Sequence, residues 1–190
     1  MPVPRLTDAR RDLRRTQIIE AAVRCFSRRG LDQTSIADIT AESGLSAGSI
    51  YAHYRNKADL LQAVARAVLD RHAATLSAYA AESPPPNPDE LLARLVTTID
   101  PAYARVGVQT WGAATTDPAL REIVTGMVAR LRDLLLTCVA AWLSRVGNGD
   151  PAEAGPIVER LMVAYQAQLL RAALQDAEPS APDRGKPDPP

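Results

Sequence analysis

The sequence predicts an all-α protein, with an N-terminal three-helix unit built on a helix-turn-helix and a helical C-terminal body. Three observations carry this. Residues 34–60, TSIADITAESGLSAGSIYAHYRNKADL, read as a short helix, a tight turn, a second short helix and the cap of a third. The longer stretches on either side place apolar residues at helical spacing. Asp-Pro occurs at 100–101, 117–118 and 150–151, the pattern of an N-cap followed by proline at the first helical position.

The first helix is expected over about 9–29, with Ile18, Ile19, Ala22, Val23 and Phe26 as its core stripe and Gly30 as its stop. Residues 1–7 are expected to be mobile, and Arg5, Arg10, Arg11, Arg14 and Arg15 form a basic arm running into that helix. Thr34 is suited to cap the second helix, about 35–43, whose Ile36 and Ile39 share one face. Gly44 ends it, because glycine accepts the left-handed conformation at no steric cost. Leu45 is buried just past the stop, and Ser46 caps a third helix over about 46–52 with Ile50 facing inward. Helices joined so tightly cross at a steep angle. The third helix turns small or polar residues outward, and no acid occurs between Ser43 and Ala58, so it can approach a polyanion without charge repulsion.

Asn56 and Asp59 form a variant capping box for a long helix over 57–81, apolar at Leu60, Leu61, Val64, Val68, Leu69 and Leu76. His72 is expected to be exposed on it. The run Pro84-Pro85-Pro86-Asn87-Pro88 ends that helix as a rigid loop. Further helices are expected at about 89–99, 101–114 and 118–146. A Gly147-Asn148-Gly149 turn then leads to a last helix from Asp150-Pro151 to about Ala177. Gly155-Pro156 delays its regular part. Residues 179–190, with almost nothing to bury, are expected to be disordered.

The chain has 190 residues and zero formal net charge, unevenly placed. Residues 1–57 hold ten Lys and Arg against six Asp and Glu, a balance of +4 that the remainder offsets. A basic head on an acidic body puts a nucleic-acid surface at the N-terminus. The two cysteines, Cys25 and Cys138, lie in helical patterns far apart and read as buried hydrophobes, not as a disulfide framework or metal site. No apolar run reaches the length of a membrane span and no signal peptide is evident, so a cytoplasmic protein without membrane contact is expected.

The run Gly44-Leu45-Ser46, then Ile50-Tyr51-Ala52-His53-Tyr54, then Lys57 and Leu60, resembles the DNA-binding signature of TetR-family transcriptional regulators. The resemblance reaches back through Phe26, Gly30 and Thr34 and covers about residues 13–62. It implies a bacterial regulator of double-stranded DNA in which Ser46 caps the recognition helix beside phosphate, Ala47, Gly48 and Ser49 enter the major groove, and Tyr51 touches a base or phosphate. It also implies that His53 and Lys57 bind phosphate and that Thr34 brings the second helix to the DNA backbone. Many members carry Lys where this chain has Ala47. Ile50 and Tyr54 are core.

The last two helices are apolar nearly all round, as at Leu161, Met162, Val163, Leu169, Leu170 and Leu174, which calls for cover on more than one side. A homodimer supplies that cover, and two recognition helices on a two-fold axis read a pseudo-palindrome. Family members usually have one further C-terminal helix, and the helix over 118–146 is expected to take its place at the interface. The resemblance further implies a small-molecule ligand held in the body. By position its candidate contacts are Tyr103, Gln109, Trp111, Met127, Tyr165 and Gln168, with Trp111 first. No catalytic constellation, metal cluster or cofactor motif occurs. The reading is a head over 1–56, a regulatory and dimerisation body over 57–178 and a tail over 179–190, forming a dimeric repressor released by its ligand. The alternatives are an activator or ligand-independent regulator with the same head, and a helical small-molecule carrier.

Overall fold

The computed structural model describes residues 6–146 and 151–175. The expected mobile start with Arg5, the turn at 147–149 with the Asp150 cap, and the expected disordered tail lie outside the described residues in whole or part. Among the described residues the chain is helical, without strands. None of these helices is long and apolar enough to cross a membrane.

α1 (Leu6–Arg29) starts earlier than its apolar stripe and stops at Gly30, which takes φ +87°. α2 (Ile36–Ser43) is capped by Ser35, not Thr34. The Asp38 N–H donates to Ser35 Oγ at 3.2 Å, and the Asp38 carboxylate accepts from the Ser35 N–H at 2.8 Å. This reciprocal box satisfies two donors that a helix start leaves open. Thr34 is instead 2% exposed, and its hydroxyl donates to Gly30 O. Gly44 closes α2 at φ +67° with its N–H on Thr40 O. α3 (Ala47–Tyr51) follows, capped by Ser46, whose Oγ accepts from the Ser49 N–H.

α4 (Lys57–Ala81) begins at the Asn56 cap. Asp59 turns its carboxylate to the Arg55 N–H and guanidinium. α5 (Pro88–Val96) has a full capping box from Asn87 and Glu90. It ends three residues before the expected Ile99, because Thr97-Thr98-Ile99 leads into Asp100-Pro101 and the residue before proline is pushed out of the helical region. α6 (Pro101–Ala114) and α7 (Pro118–Val146) start on Asp100 and Asp117, each carboxylate accepting from the N–H groups two and three residues on. A 3-10 turn at Pro151–Glu153 leads into α8 (Ala154–Ala173). α8 stops short of Ala177. The Arg105 guanidinium of α6 donates to the carbonyls of Ala173 and Gln175, taking up acceptors that a helix end leaves open.

Two buried clusters hold these helices. The first joins Ile18, Ala22 and Phe26 of α1 to Ile39, Ile50 and Tyr54, to Leu60 and Val64 of α4, and to Val106 and Leu120 of α6 and α7. The second joins Leu76 to Leu91, Leu95, Leu135, Val139, Val158 and Leu161. α4 belongs to both. At 1.5 Å per residue it spans about 37 Å, one continuous rod from the helix-turn-helix to the body. Both cysteines are free and buried.

Candidate nucleic-acid interface and cavity

The outer face of α3 is bare of charge and bulk. Ser46, Ala47, Gly48 and Ala52 are exposed, Ser49 is half-buried, and Tyr51 projects with 55% of its surface open. Ile50 on the opposite face is fully buried, which fixes the helix's rotation. Beside this face runs the first half of α1, where Arg10, Arg11, Arg14 and Arg15 are exposed. Arg14 Nη1 donates to Ser49 Oγ at 3.3 Å, so the two helices share one surface. The other arginines of α1 are used differently. Arg24 and Arg28 pair with Glu42, and Arg29 pairs with Asp38. The acids of α2 are thus neutralised within the head, while Arg11, Arg14 and Arg15 have no carboxylate partner among the described residues. The Asp38 carboxyl is held below its ordinary range chiefly by hydrogen bonds from Ser35, with Arg29 adding to them, and the Glu42 carboxyl chiefly by the hydrogen bond from Arg24.

His53 is half-buried at the edge of this surface. Burial first, and then the charges of Arg11, Arg15 and Arg14, depress its pKa, so the imidazole is neutral at pH 7 in the free protein. Lys57 is not a free cation. Its Nζ donates to Leu31 O at 2.7 Å and ties the start of α4 to the turn before α2. Two ammonium donors remain for other partners. Buried Thr34 offers no hydroxyl to an external ligand, and exposed Ser35 holds the corresponding surface position. Of the residues singled out by resemblance, Ser46 to Ser49, Tyr51 and His53 therefore share a surface, with Lys57 behind it and Thr34 inside. The S-x-x-D spacing of Ser35 and Asp38 was a signal for the true cap.

The body holds a partly open cavity of about 100 Å³ between α4, α6, α7 and α8, with exposed Arg71 and Asp100 in its lining. Tyr103, Trp111, Met127 and Tyr165 line it. Gln109 and Gln168, expected there, do not; Gln166 does. The reason is helical phase. The lining residues on α8 are Met162, Tyr165, Gln166 and Leu169, and on α6 they include Tyr103, Gly107, Thr110 and Trp111. Both sets follow the three-to-four-residue stripe of one helix face, and Gln168 and Gln109 lie off it.

His72, expected to be exposed, is 8% exposed and part of this wall. Its Nδ1 lies 2.8 Å from Val68 O, and since a carbonyl only accepts, that nitrogen carries the proton. Nε2 then accepts from the Tyr165 hydroxyl at 2.7 Å, with the two rings edge-on. Burial, only partly opposed by the Val68 bond, depresses the His72 pKa, and burial pushes Tyr165 up to about 12. The pair is neutral. The signal lay in the sequence: Val64, Val68, His72 and Leu76 fall at four-residue intervals on one stripe. The Trp111 Nε1 is buried with no hydrogen-bond partner. Near the cavity, the Arg71 guanidinium sits 5.3 Å from the centre of the Tyr103 ring.

An exposed, acid-free helix after a tight glycine turn, flanked by unpaired arginines and joined by a long rod to a hollow helical body, defines a helix-turn-helix transcriptional regulator. Residues 18–64 match the family described as bacterial regulatory proteins, tetR family. The regulator BetI of Burkholderia mallei is 30% identical over 148 residues, 75% of each chain. The chain belongs to the TetR family of DNA-binding transcriptional regulators. The head alone is more similar to TtgR of Pseudomonas putida, 47% identical over 58 residues, and the chain matches 28% of that protein's length. The fold also matches solved structures. Salmonella enterica GusR superposes with a TM-score of 0.68 at 22% identity, covering 84% of this chain and 86% of that one. A Saccharomonospora viridis regulator solved in complex with choline gives 0.62 at 24% identity, covering 84% and 85%.

Proposed function

We propose that this protein is a cytoplasmic homodimeric repressor that binds a pseudo-palindromic operator and leaves it when a small molecule fills the body cavity. The outer face of α3 carries this reading. Its exposed atoms belong to Ser46, Ala47, Gly48 and Tyr51, a surface too small and too polar to serve a core and without the acids that would repel phosphate. Ala47, Gly48 and Ser49 let the helix approach the floor of the major groove, and Tyr51 reaches a base or sugar-phosphate. Arg11, Arg14, Arg15 and His53 meet phosphates on one side. Lys57 contributes through its remaining donors, and Ser35 takes the place expected of Thr34 at the start of α2.

In this reading the head is residues 1–56, the body 57–178 and the tail 179–190. A dimer is supported by a stripe on α8 and its C-cap residue Leu174. Val163, Leu170 and Leu174 are exposed and fall within about 40° of one another around the helix. Exposed large apolar residues aligned in this way mark a contact surface. The release step is supported by the cavity's position, since α4 passes from the head core along the cavity wall into the body core. A molecule wedged against Val68 and His72 shifts that rod and with it the distance between two heads, a population shift toward a state that no longer fits DNA. The relative solved with choline supports a small-molecule occupant for a body of this fold.

The test begins with selection of bound sites from a random duplex pool, followed by anisotropy titration of the enriched site. A palindromic consensus is expected. Tyr51→Ala should weaken that complex about 10- to 100-fold, the size of one lost base or backbone contact. Unchanged affinity would show that α3 does not face the DNA.

A further inference from the structure

We propose that the body cavity takes an uncharged molecule of single-ring size carrying one hydrogen-bond acceptor, which the Trp111 indole N–H engages, and that it rejects cations. This rests on the cavity being the ligand site of the repressor described above. Size comes first. An apolar cavity of about 150 Å³ admits benzene; the space here, about 100 Å³, is smaller, so a single ring is the most it takes and enters only as the wall gives way. Met127 and Met162 on the wall are the residues best able to give way by changing rotamer.

The chemistry follows from counting what the wall has left to offer. The hydroxyls of Thr98, Thr110 and Tyr165 already donate inside the protein, while Tyr103 and Gln166 are only half-buried at the wall. Thr98 Oγ1 donates to Leu95 O, Thr110 Oγ1 to Val106 O, and the Tyr165 hydroxyl to His72 Nε2. His72 has spent both nitrogens. Among these buried groups the Trp111 Nε1 alone has no partner. An indole N–H only donates, so its missing partner is an acceptor. A water molecule needs two to four polar partners to settle in a protein interior, and most of this wall is Leu, Val, Ile and Met hydrocarbon. An organic oxygen on an apolar ring satisfies the indole and the hydrocarbon together.

Charge is excluded by the same inventory. The lining includes one carboxylate, Asp100, which is exposed and occupied in capping α6. The lining cation, Arg71, is exposed and repels another cation. The His72–Tyr165 pair is neutral and offers no countercharge in either direction. Trp111, Tyr103 and Tyr165 do present ring faces or edges, but with no buried carboxylate beside them the cation–π attraction offsets only part of a cation's lost hydration.

Calorimetric titration of the full-length protein with anisole, ethylbenzene, benzyltrimethylammonium, choline and benzoate tests this. Anisole and ethylbenzene have nearly the same shape and differ in the acceptor. Anisole is expected to bind, the three ions are not, and the anisole-to-ethylbenzene affinity ratio should fall about tenfold in Trp111→Phe, the size of one net hydrogen bond. Circular dichroism checks the fold of that variant; if it is unfolded, the wild-type series decides alone. Tight binding of choline, benzyltrimethylammonium or benzoate, no binding of either neutral ring up to millimolar concentration, or an unchanged ratio in folded Trp111→Phe would each overturn the proposal. Release of operator DNA is scored separately. Anisole that binds as expected but leaves the DNA complex intact keeps the ligand class and overturns ligand release, whereas release by choline alone keeps ligand release and overturns the ligand class.

Discussion

The head and the body are built to different standards of closure. In the head, α2 is sealed at both ends by the Ser35–Asp38 box and the Gly44 stop, its acids are paired with Arg24, Arg28 and Arg29, and Phe26, Ile39 and Ile50 are fully buried. Among its described residues the one buried side-chain polar atom without a partner is the Tyr54 hydroxyl. The body leaves a cavity among four helices, two buried polar atoms on α6 without partners, and a stripe of exposed aliphatics on α8. Rigid positioning of α3 is what reading a groove requires. A body that lacks something inside and something outside is what a second ligand and a second subunit require. Closure is unequal, and in the proposed reading the looser body is the part that answers to a ligand and a second subunit.

The largest expected effect breaks the head. Phe26→Ala removes a fully buried ring from the cluster shared by α1, α2, α3 and α4, and should cost about 3–5 kcal/mol. Met127→Ala, half-buried beside space that already exists, should cost clearly less, at or below about 2 kcal/mol, since the new void is continuous with a void whose cost is already paid. Urea unfolding of the two variants measures both. Equal losses would mean that the body is packed as tightly as the head.

The next effect concerns the outside of the body. Val163→Glu places a carboxylate at the N-terminal end of the α8 stripe. It should leave the monomer folded, because Val163 is 66% exposed, while shifting sedimentation from dimer toward monomer by at least tenfold in dissociation constant. The same variant should lose affinity for a full palindrome and keep its weak affinity for a half-site. A dimer that tolerates Val163→Glu would move the interface elsewhere, and the exposed face of α7 is the first place to look.

Much of this was legible in the sequence wherever local chemistry decides the outcome. α4, α6 and α7 begin and end where Asn56, Asp100, Asp117 and the proline loop place them, because caps act over four residues. The inward face of α3 was equally legible through Ile50. The misreadings arose where a choice hung on one residue of phase or on distant partners. Thr34 and Ser35 are adjacent capping types, and only Ser35 has an acid three residues on. Position along the chain singles out Gln168 and Gln109, and position alone does not resolve the helix face. His72 looked exposed because the hydroxyl that neutralises its burial is Tyr165, 93 residues away. The cavity needs four helices in register, and no periodicity in one helix reports that. Ser35→Ala sharpens the smaller of these lessons. It should cost about 1 kcal/mol through the lost cap.

The smallest expected effect sets one histidine of each region against the other through pH. Burial depresses both His53 and His72 below the ordinary imidazole value of 6.5, so at mildly acidic pH the unfolded chain binds more protons than the folded one. Stability from each is therefore complete above about pH 6.5 and is lost as pH falls below it, the opposite of a histidine that gains a carboxylate partner. The two differ in depth. His72 is 8% exposed with both nitrogens bonded, and protonating Nε2 would displace the Tyr165 hydroxyl as donor. His53 is half-buried at a surface and can turn toward water. The fall in urea midpoint between pH 7.5 and 5.5 should consequently shrink more in His72→Gln than in His53→Gln. DNA binding should reverse the order. Phosphates beside His53 favour its charged form, so operator affinity rises as pH drops through that range, and His53→Gln removes the rise while His72→Gln leaves it in place. A stability slope carried by His53, or an affinity slope that survives His53→Gln, would erase the distinction between a sealed reading head and a titratable hollow body.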